Sequence, residues 1–300
     1  MIYLSVQPDI AYFHWQVETY ITNFKSVGIN PNNIEVIFIY DQTISKQGLA
    51  LQQKYNTVRF FFYKNDMPDK SYIPAIKPYG FFKHLQQYPD LNKVPIFYHD
   101  ADIIFRERIN EKLFTNDNNW YLSDTVSYIG YDYCISKGTQ QFLDMVDDVH
   151  IHRETVIRNQ NHSGGAQYII KNTKASFWYK VYEDSITLYN TMLKHLNMNT
   201  DAPSPIQKWC AEMWSTLWNA WLFNYNTIVH DELNFTFATN DIDKWFSTKI
   251  MHNAGVVDDK ANLFFKGGFI NKSPFYENFD HITPTKCSFK YVEAIKAVQH

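Results

Sequence analysis

Two carboxylates one residue apart, Asp100 and Asp102, end an apolar run in "IFYHDADIIF" (96–105). Successive strand residues face opposite sides, so i and i+2 share a face, and these two acids would converge on one point at or just past a strand terminus. Hard oxygen donors suit Mg²⁺ or Mn²⁺, which keep positions open for substrate phosphates and neutralise a diphosphate leaving group. A solvated or capping acidic turn uses the same residues. Two features favour the metal. The preceding run is apolar, as a buried central strand should be. A further candidate ligand, His252 in "IMHNAGV" (250–256), also follows an apolar run and precedes a Gly-containing turn. Manganese accepts a mixed carboxylate–imidazole shell, whereas a lone His is more often structural.

Other residues fit the same chemistry. Lys77, after the extended "YIPAI", can reach a phosphate as a point charge; its plain alternative is a solvated surface lysine. Lys266 in "LFFKGGF" is a second such cation, chosen for its position after His252. Gly164 and Gly165 permit close backbone approach and unusual φ/ψ, or simply a flexible turn. Glu212 lies among Trp209, Met213, Trp214, Leu217, Trp218 and Trp221, a helix apolar around most of its circumference. Its carboxylate is either on a narrow polar face or in a pocket with partners, because an isolated buried charge is costly.

The elements that must position these groups follow from pattern. "MIYLSV" is a strand ending at a Gln7-Pro8-Asp9 turn. "AYFHWQVETYITNFKSVG" is a helix stopping at Gly28. Strands "NNIEVIFIYD", "VRFFFYKND" and "VPIFYHDADIIF" alternate with helices "GLALQQKYN" and "AIKPYGFFKHLQQYP". This alternation predicts an α/β fold with a mainly parallel central sheet flanked by helices. Ligands of such sheets bind beyond the carboxyl ends of the strands, which is where His99, Asp100 and Asp102 fall. Further on, "NNWYLSDTVSYIGYDYCIS" reads as strand and "QQFLDMVDDVHIHRETVI" as helix. "NQNHSGGAQYIIK" reads as a polar loop, "SPIQKWCAEMWSTLWNAWLFNY" as a long helix and "KIMHNAGV" as a short strand. No repeat or linker interrupts the chain, so 1–300 is expected to be one domain, with a donor half near 1–130 and an acceptor half over 131–300.

The bulk numbers bound the partners. Net charge is −3 with no Lys/Arg block, so a nucleic-acid partner is disfavoured. Three scattered cysteines make no disulfide framework and suit a reducing compartment. No signal-peptide pattern or bilayer-length apolar run occurs, so a cytoplasmic location is expected. The aromatic share of 17% fits either sugar-stacking surfaces or a biased genome.

In order along nearly the whole chain, the motifs resemble the hydroxyproline O-arabinosyltransferases and the related peptidyl-serine galactosyltransferases. The pieces are "YFHWQ" (12–16), "YIPAIKPYGFFKHL" (72–85), "YHDADIIF" (98–105), "IIK" (169–171), "WCAEM" (209–213) and "IMHNAGV", with Val257 following. The resemblance implies a GT-A-like fold and a nucleoside diphosphate sugar donor, expected to be a UDP-sugar. It also implies Mn²⁺ (or Mg²⁺) and retention of anomeric configuration. Asp102 and His252 would ligate the metal, with Asp100 on the metal or the ribose. Tyr12 and Gln16 would lie near the nucleotide, and Lys77 at the diphosphate or donor sugar. Glu212 would sit near the reacting sugar, with Asp124 in "YLSDT" a further contact to it. The family loop before "IIK" often reads Gly-Asn-Ser-Pro; here it is Gly164-Gly165-Ala166-Gln167, which leaves the donor sugar open if that loop lines its pocket. The acceptor is a glycan, a protein or another hydroxyl-bearing molecule. The competing readings are a metal-dependent phosphohydrolase and a non-catalytic carbohydrate- or nucleotide-binding protein.

Overall fold

The computed structural model describes residues 1–198, 205–256 and 258–298; Val257 lies outside them. The strands are β1 (Ile2–Pro8), β2 (Ile34–Tyr40), β3 (Arg59–Lys64), β4 (Ile96–His99), β5 (Ile103–Phe105), β6 (Trp120–Asp124), β7 (Gly164–Ile170), β8 (Thr227–Val229), β9 (Phe235–Phe237) and β10 (Ile250–His252). The helices are α1 (Ala11–Ser26), α2 (Lys46–Lys54), α3 (Ile76–Gln87), α4 (Val126–Ile129), α5 (Tyr131–Lys137), α6 (Thr139–Asp148), α7 (Arg153–Arg158), α8 (Ala175–Met198), α9 (Ala211–Leu222) and α10 (Ser288–Lys296). A seven-stranded sheet has the order β3-β2-β1-β4-β7-β6-β8, and a three-stranded sheet the order β5-β10-β9. The expected α/β architecture with a mainly parallel, helix-flanked sheet is therefore present.

Two compact units divide the chain: Met1–Asn65, Phe97–Leu113 and Glu232–His300 in the first, Asp66–Ile96 and Phe114–Asp231 in the second. In the first, β1 and β2 pair in parallel, as do β2 and β3, and almost every residue of β1 and β2 is buried. Strands covered on both faces need such continuous apolar runs. Helix α1 buries Trp15, Tyr20, Ile21 and Phe24, and it ends where expected, with Gly28 at φ +82° just past it. Trp15 lies edge-on to Tyr291 of α10 at 6.4 Å, within a core that includes Phe264, Phe279 and Val292. In the second unit, β6 runs antiparallel to β7 and parallel to β8, and Trp120, Trp178, Trp214 and Trp218 are among the largest buried side chains. No described helix is long and apolar enough to cross a membrane.

Four sequence expectations need correction. The run 94–105 is two strands rather than one: β4 ends at His99, Asp100 to Asp102 form a turn, and β5 joins the other sheet. The two acids therefore converge through a turn, not through strand alternation. The stretch 118–136 is strand only as far as Asp124; α4 and α5 follow, both of them short. The segment read as a loop from Gly164 is strand β7, buried throughout. The "long helix" is a 3₁₀ turn at Lys208–Cys210 followed by α9.

Candidate metal centre and the Lys77–Glu212 pair

The centre is built where the chain leaves β4. His99 Nδ1 donates to the Asp100 carbonyl at 2.8 Å, and the rings of Tyr20, Phe24 and Phe97 surround the imidazole. Burial pushes its pKa down to about 4, so it is neutral and serves to fix the turn. Strand β5 then pairs antiparallel with β10, His252 opposite Ile103. The Asn253 N–H donates to the Asp102 carbonyl at 2.9 Å and extends that ladder by one bond. This pairing carries a residue from late in the chain to the acidic turn.

His252 Nε2 lies 3.0 Å from Asp102 Oδ1 and 3.7 Å from Asp100 Oδ2. One ligand atom from each of Asp100, Asp102 and His252 fits within 4.8 Å. Lys266 Nζ donates to the other Asp102 oxygen. Asp102 is only 4% exposed. Burial alone would raise its pKa, but the charges of His252 and Lys266, and hydrogen bonds from both, hold the carboxyl well below the usual range. Burial works against the Lys266 ammonium as well, yet the Asp102 charge holds its pKa above the ordinary value. Two carboxylates and an imidazole are a donor set suited to Mn²⁺ or Mg²⁺, and the Lys266 ammonium stands beside them as a substitute cation.

Tyr12 is half-buried on α1; burial raises its pKa, while the Lys266 and Asp102 charges pull in opposite directions. Gln16 is buried one turn on, its Nε2 donating to the Tyr12 carbonyl at 2.6 Å. Its amide nitrogen is thus engaged within its own helix.

The second unit brings Lys77 and Glu212 together. Lys77 Nζ, on α3, lies 2.9 Å from Glu212 Oε2, in the first turn of α9. Glu212 is 3% exposed, so the pocket rather than the polar face is its environment. Thr216 Oγ1 lies 3.4 Å from Glu212 Oε1. The Glu212 N–H donates to Tyr72 Oη at 3.1 Å, and Tyr72 Oη donates to the Trp209 carbonyl at 2.5 Å. A helix N-terminus favours a carboxylate. Sequence reasoning missed Tyr72; its only signal was its place at the head of "YIPAIKP".

Asp124 and Gly164 are register partners where β6 meets β7. Asp124 is exposed and accepts from the Val126 N–H at 3.0 Å, which starts α4. Neither glycine has a positive φ. Close approach requires them instead: a Cβ on Gly164 would lie 2.7 Å from the Ser123 carbonyl oxygen, and one on Gly165 2.6 Å from Met213 Cε, beside Glu212 in sequence. Gln167 is fully buried on β7.

No family model and no curated protein matches this chain. Among solved structures, the chain aligns over 99% of its length with 49% of the bifunctional glycosyltransferase WbbM, at 9% identity and a TM-score of 0.51. The fold is that of a GT-A-like glycosyltransferase. The chain spans about half the length of WbbM. It also aligns with the galactosyltransferase LgtC in complex with donor and acceptor sugar analogues (TM-score 0.48, 11% identity, 100% of this chain and 97% of that one). For mouse xyloside xylosyltransferase 1 the TM-score is 0.44, at 9% identity over 84% of this chain and 97% of that one.

Proposed function

We propose that the chain is a metal-dependent glycosyltransferase that moves a sugar, hexose or pentose, from a UDP-sugar to an acceptor hydroxyl. The observation that carries this reading is the convergence of Asp100, Asp102 and His252 just beyond the carboxyl end of β4 in a glycosyltransferase fold. These three would hold Mn²⁺ or Mg²⁺. When bound, such an ion supplies charge neutralisation on the diphosphate as it leaves.

The chain's own residues do the rest. Lys266 binds a phosphate oxygen, and Tyr12 and Gln16 flank the nucleotide. Lys77 presents its ammonium to the diphosphate or donor sugar. Gly164, Gly165, Gln167 and Asp124 border the sugar. The anomeric carbon–oxygen bond to the diphosphate breaks, the acceptor oxygen forms the new bond to that carbon, and the acceptor's proton passes to the released diphosphate. Glu212 faces the positive charge that develops on the sugar. Retention of configuration is part of the proposal and is supported by the likeness of "YHDADIIF", "WCAEM" and "IMHNAGV" to hydroxyproline O-arabinosyltransferases. Front-face attack and a covalent intermediate on Glu212 both fit this outcome. Cytoplasmic action is supported by three free thiols, Cys134, Cys210 and Cys287.

The test is a screen of nucleotide sugars with Mn²⁺ and an acceptor panel, reading nucleoside diphosphate release and product, in wild type and Asp102→Ala. The expected result is one UDP-sugar turned over by wild type, with the variant slower by about a hundredfold or more. Equal turnover removes the metal-centred mechanism. Rapid sugar release that no acceptor accelerates makes the protein a phosphohydrolase.

A further inference from the structure

Both oxygens of the Asp102 carboxylate are already engaged, one by His252 and one by Lys266. The ammonium therefore already neutralises the carboxylate that a cation at this centre would use. The backbone around Lys266 is anchored. Phe264 is buried in the core, Phe269 stacks on it at 5.4 Å, and Trp15 Nε1 donates to the Phe269 carbonyl at 3.1 Å. The Lys266 side chain is 30% exposed, so it can leave by rotating its own bonds while the backbone stays in place. An ammonium and a divalent cation on one carboxylate repel each other at this range, so the ammonium weakens the hold of Asp102 on a free cation. A diphosphate changes that balance, because its negative charge offers the ammonium a second anionic partner.

We propose that Lys266 is the resident counter-cation of Asp102, making the centre a poor site for free Mn²⁺ and a good one for Mn²⁺ arriving with a nucleoside diphosphate. The proposal rests on the metal-dependent reading above and deepens it, since it names the selected ligand as the cation–diphosphate complex. Lys266 changes partner rather than merely adding a phosphate contact. By linkage, UDP tightens Mn²⁺ binding by the same factor as Mn²⁺ tightens UDP binding.

The experiment is calorimetric titration of Mn²⁺ into the full chain, with and without UDP, for wild type, Lys266→Met and Lys266→Arg. Without UDP, Lys266→Met should bind Mn²⁺ about tenfold more tightly than wild type, and Lys266→Arg, which keeps the charge, within about threefold of it. The tightening caused by UDP should be smaller in Lys266→Met than in wild type. Lys266→Gln is a second neutral variant with the same expectation, should the methionine variant fail to fold. Equal or weaker binding of Mn²⁺ alone by the neutral variants overturns the proposal and leaves the metal centre standing. Absence of Mn²⁺ binding in every protein, with or without UDP, removes the metal reading and this inference with it.

Discussion

His99 fixes the turn on which the candidate centre depends, and it does so as a neutral group. Its folded pKa is about 4, below the ordinary 6.5, because burial disfavours the charged ring. The unfolded chain therefore takes up a proton first as pH falls. The stability held by the neutral form is complete above about 6.5 and is lost progressively down to about 4. Urea unfolding at pH 7.5 and pH 4.5 checks this. Wild type should lose roughly 3 kcal/mol more over that interval than His99→Asn. Equal losses would show that His99 is not buried neutral. The two candidate acids are held by charged partners instead. Asp102 is ionised and saturated with partners, and Glu212 is buried against Lys77. Sequence alone identified these three residues as candidates but said nothing of their partners. Lys77 and Glu212 are 135 positions apart (212 − 77), and Lys266 meets Asp102 across 164 positions.

At the level of elements, the alternation from β1 to β4 was legible because each strand and helix there carries its own apolar period. The break at His99 was not, since "IFYHDADIIF" is apolar on both sides of the acids and only the pairing of β5 with distant β10 separates the two strands. Helix α8, the longest, was missed although Phe177, Trp178, Val181, Tyr182, Ser185 and Met192 line its buried face; polar residues between them hide the pattern. The glycines of β7 were noticed for close backbone approach and for unusual φ/ψ; the close approach is present and the unusual φ is not. That distinction is testable. A methyl group on Gly164 would strike the Ser123 backbone and the Leu122 side chain of the paired strand, neither of which yields without moving β6. One on Gly165 would meet first the flexible end of Met213. Gly164→Ala should therefore cost about 1–3 kcal/mol, and Gly165→Ala clearly less, in urea unfolding. The reverse order would place the tight contact at the second glycine.

At the scale of the molecule, the three proposed ligands belong to one compact unit, assembled from three separate stretches of chain. A ligand that binds only the folded form stabilises it, by about 2.7 kcal/mol when present at 100 times its dissociation constant. Mn²⁺ with UDP should thus slow amide exchange around 98–105 and 250–253, and Asp102→Ala should abolish the effect. Protection elsewhere in the absence of any change at those segments would move the cation to another site.

The short β5–β10 ladder has one more consequence, for the order in which the protein is made. Asp100 and Asp102 leave the ribosome long before the strand that carries His252 has been translated. Until that strand arrives and pairs with β5, a nascent chain has the two acids without the imidazole of His252. The centre therefore lacks its full ligand set until the chain has been extended from Asp102 to His252.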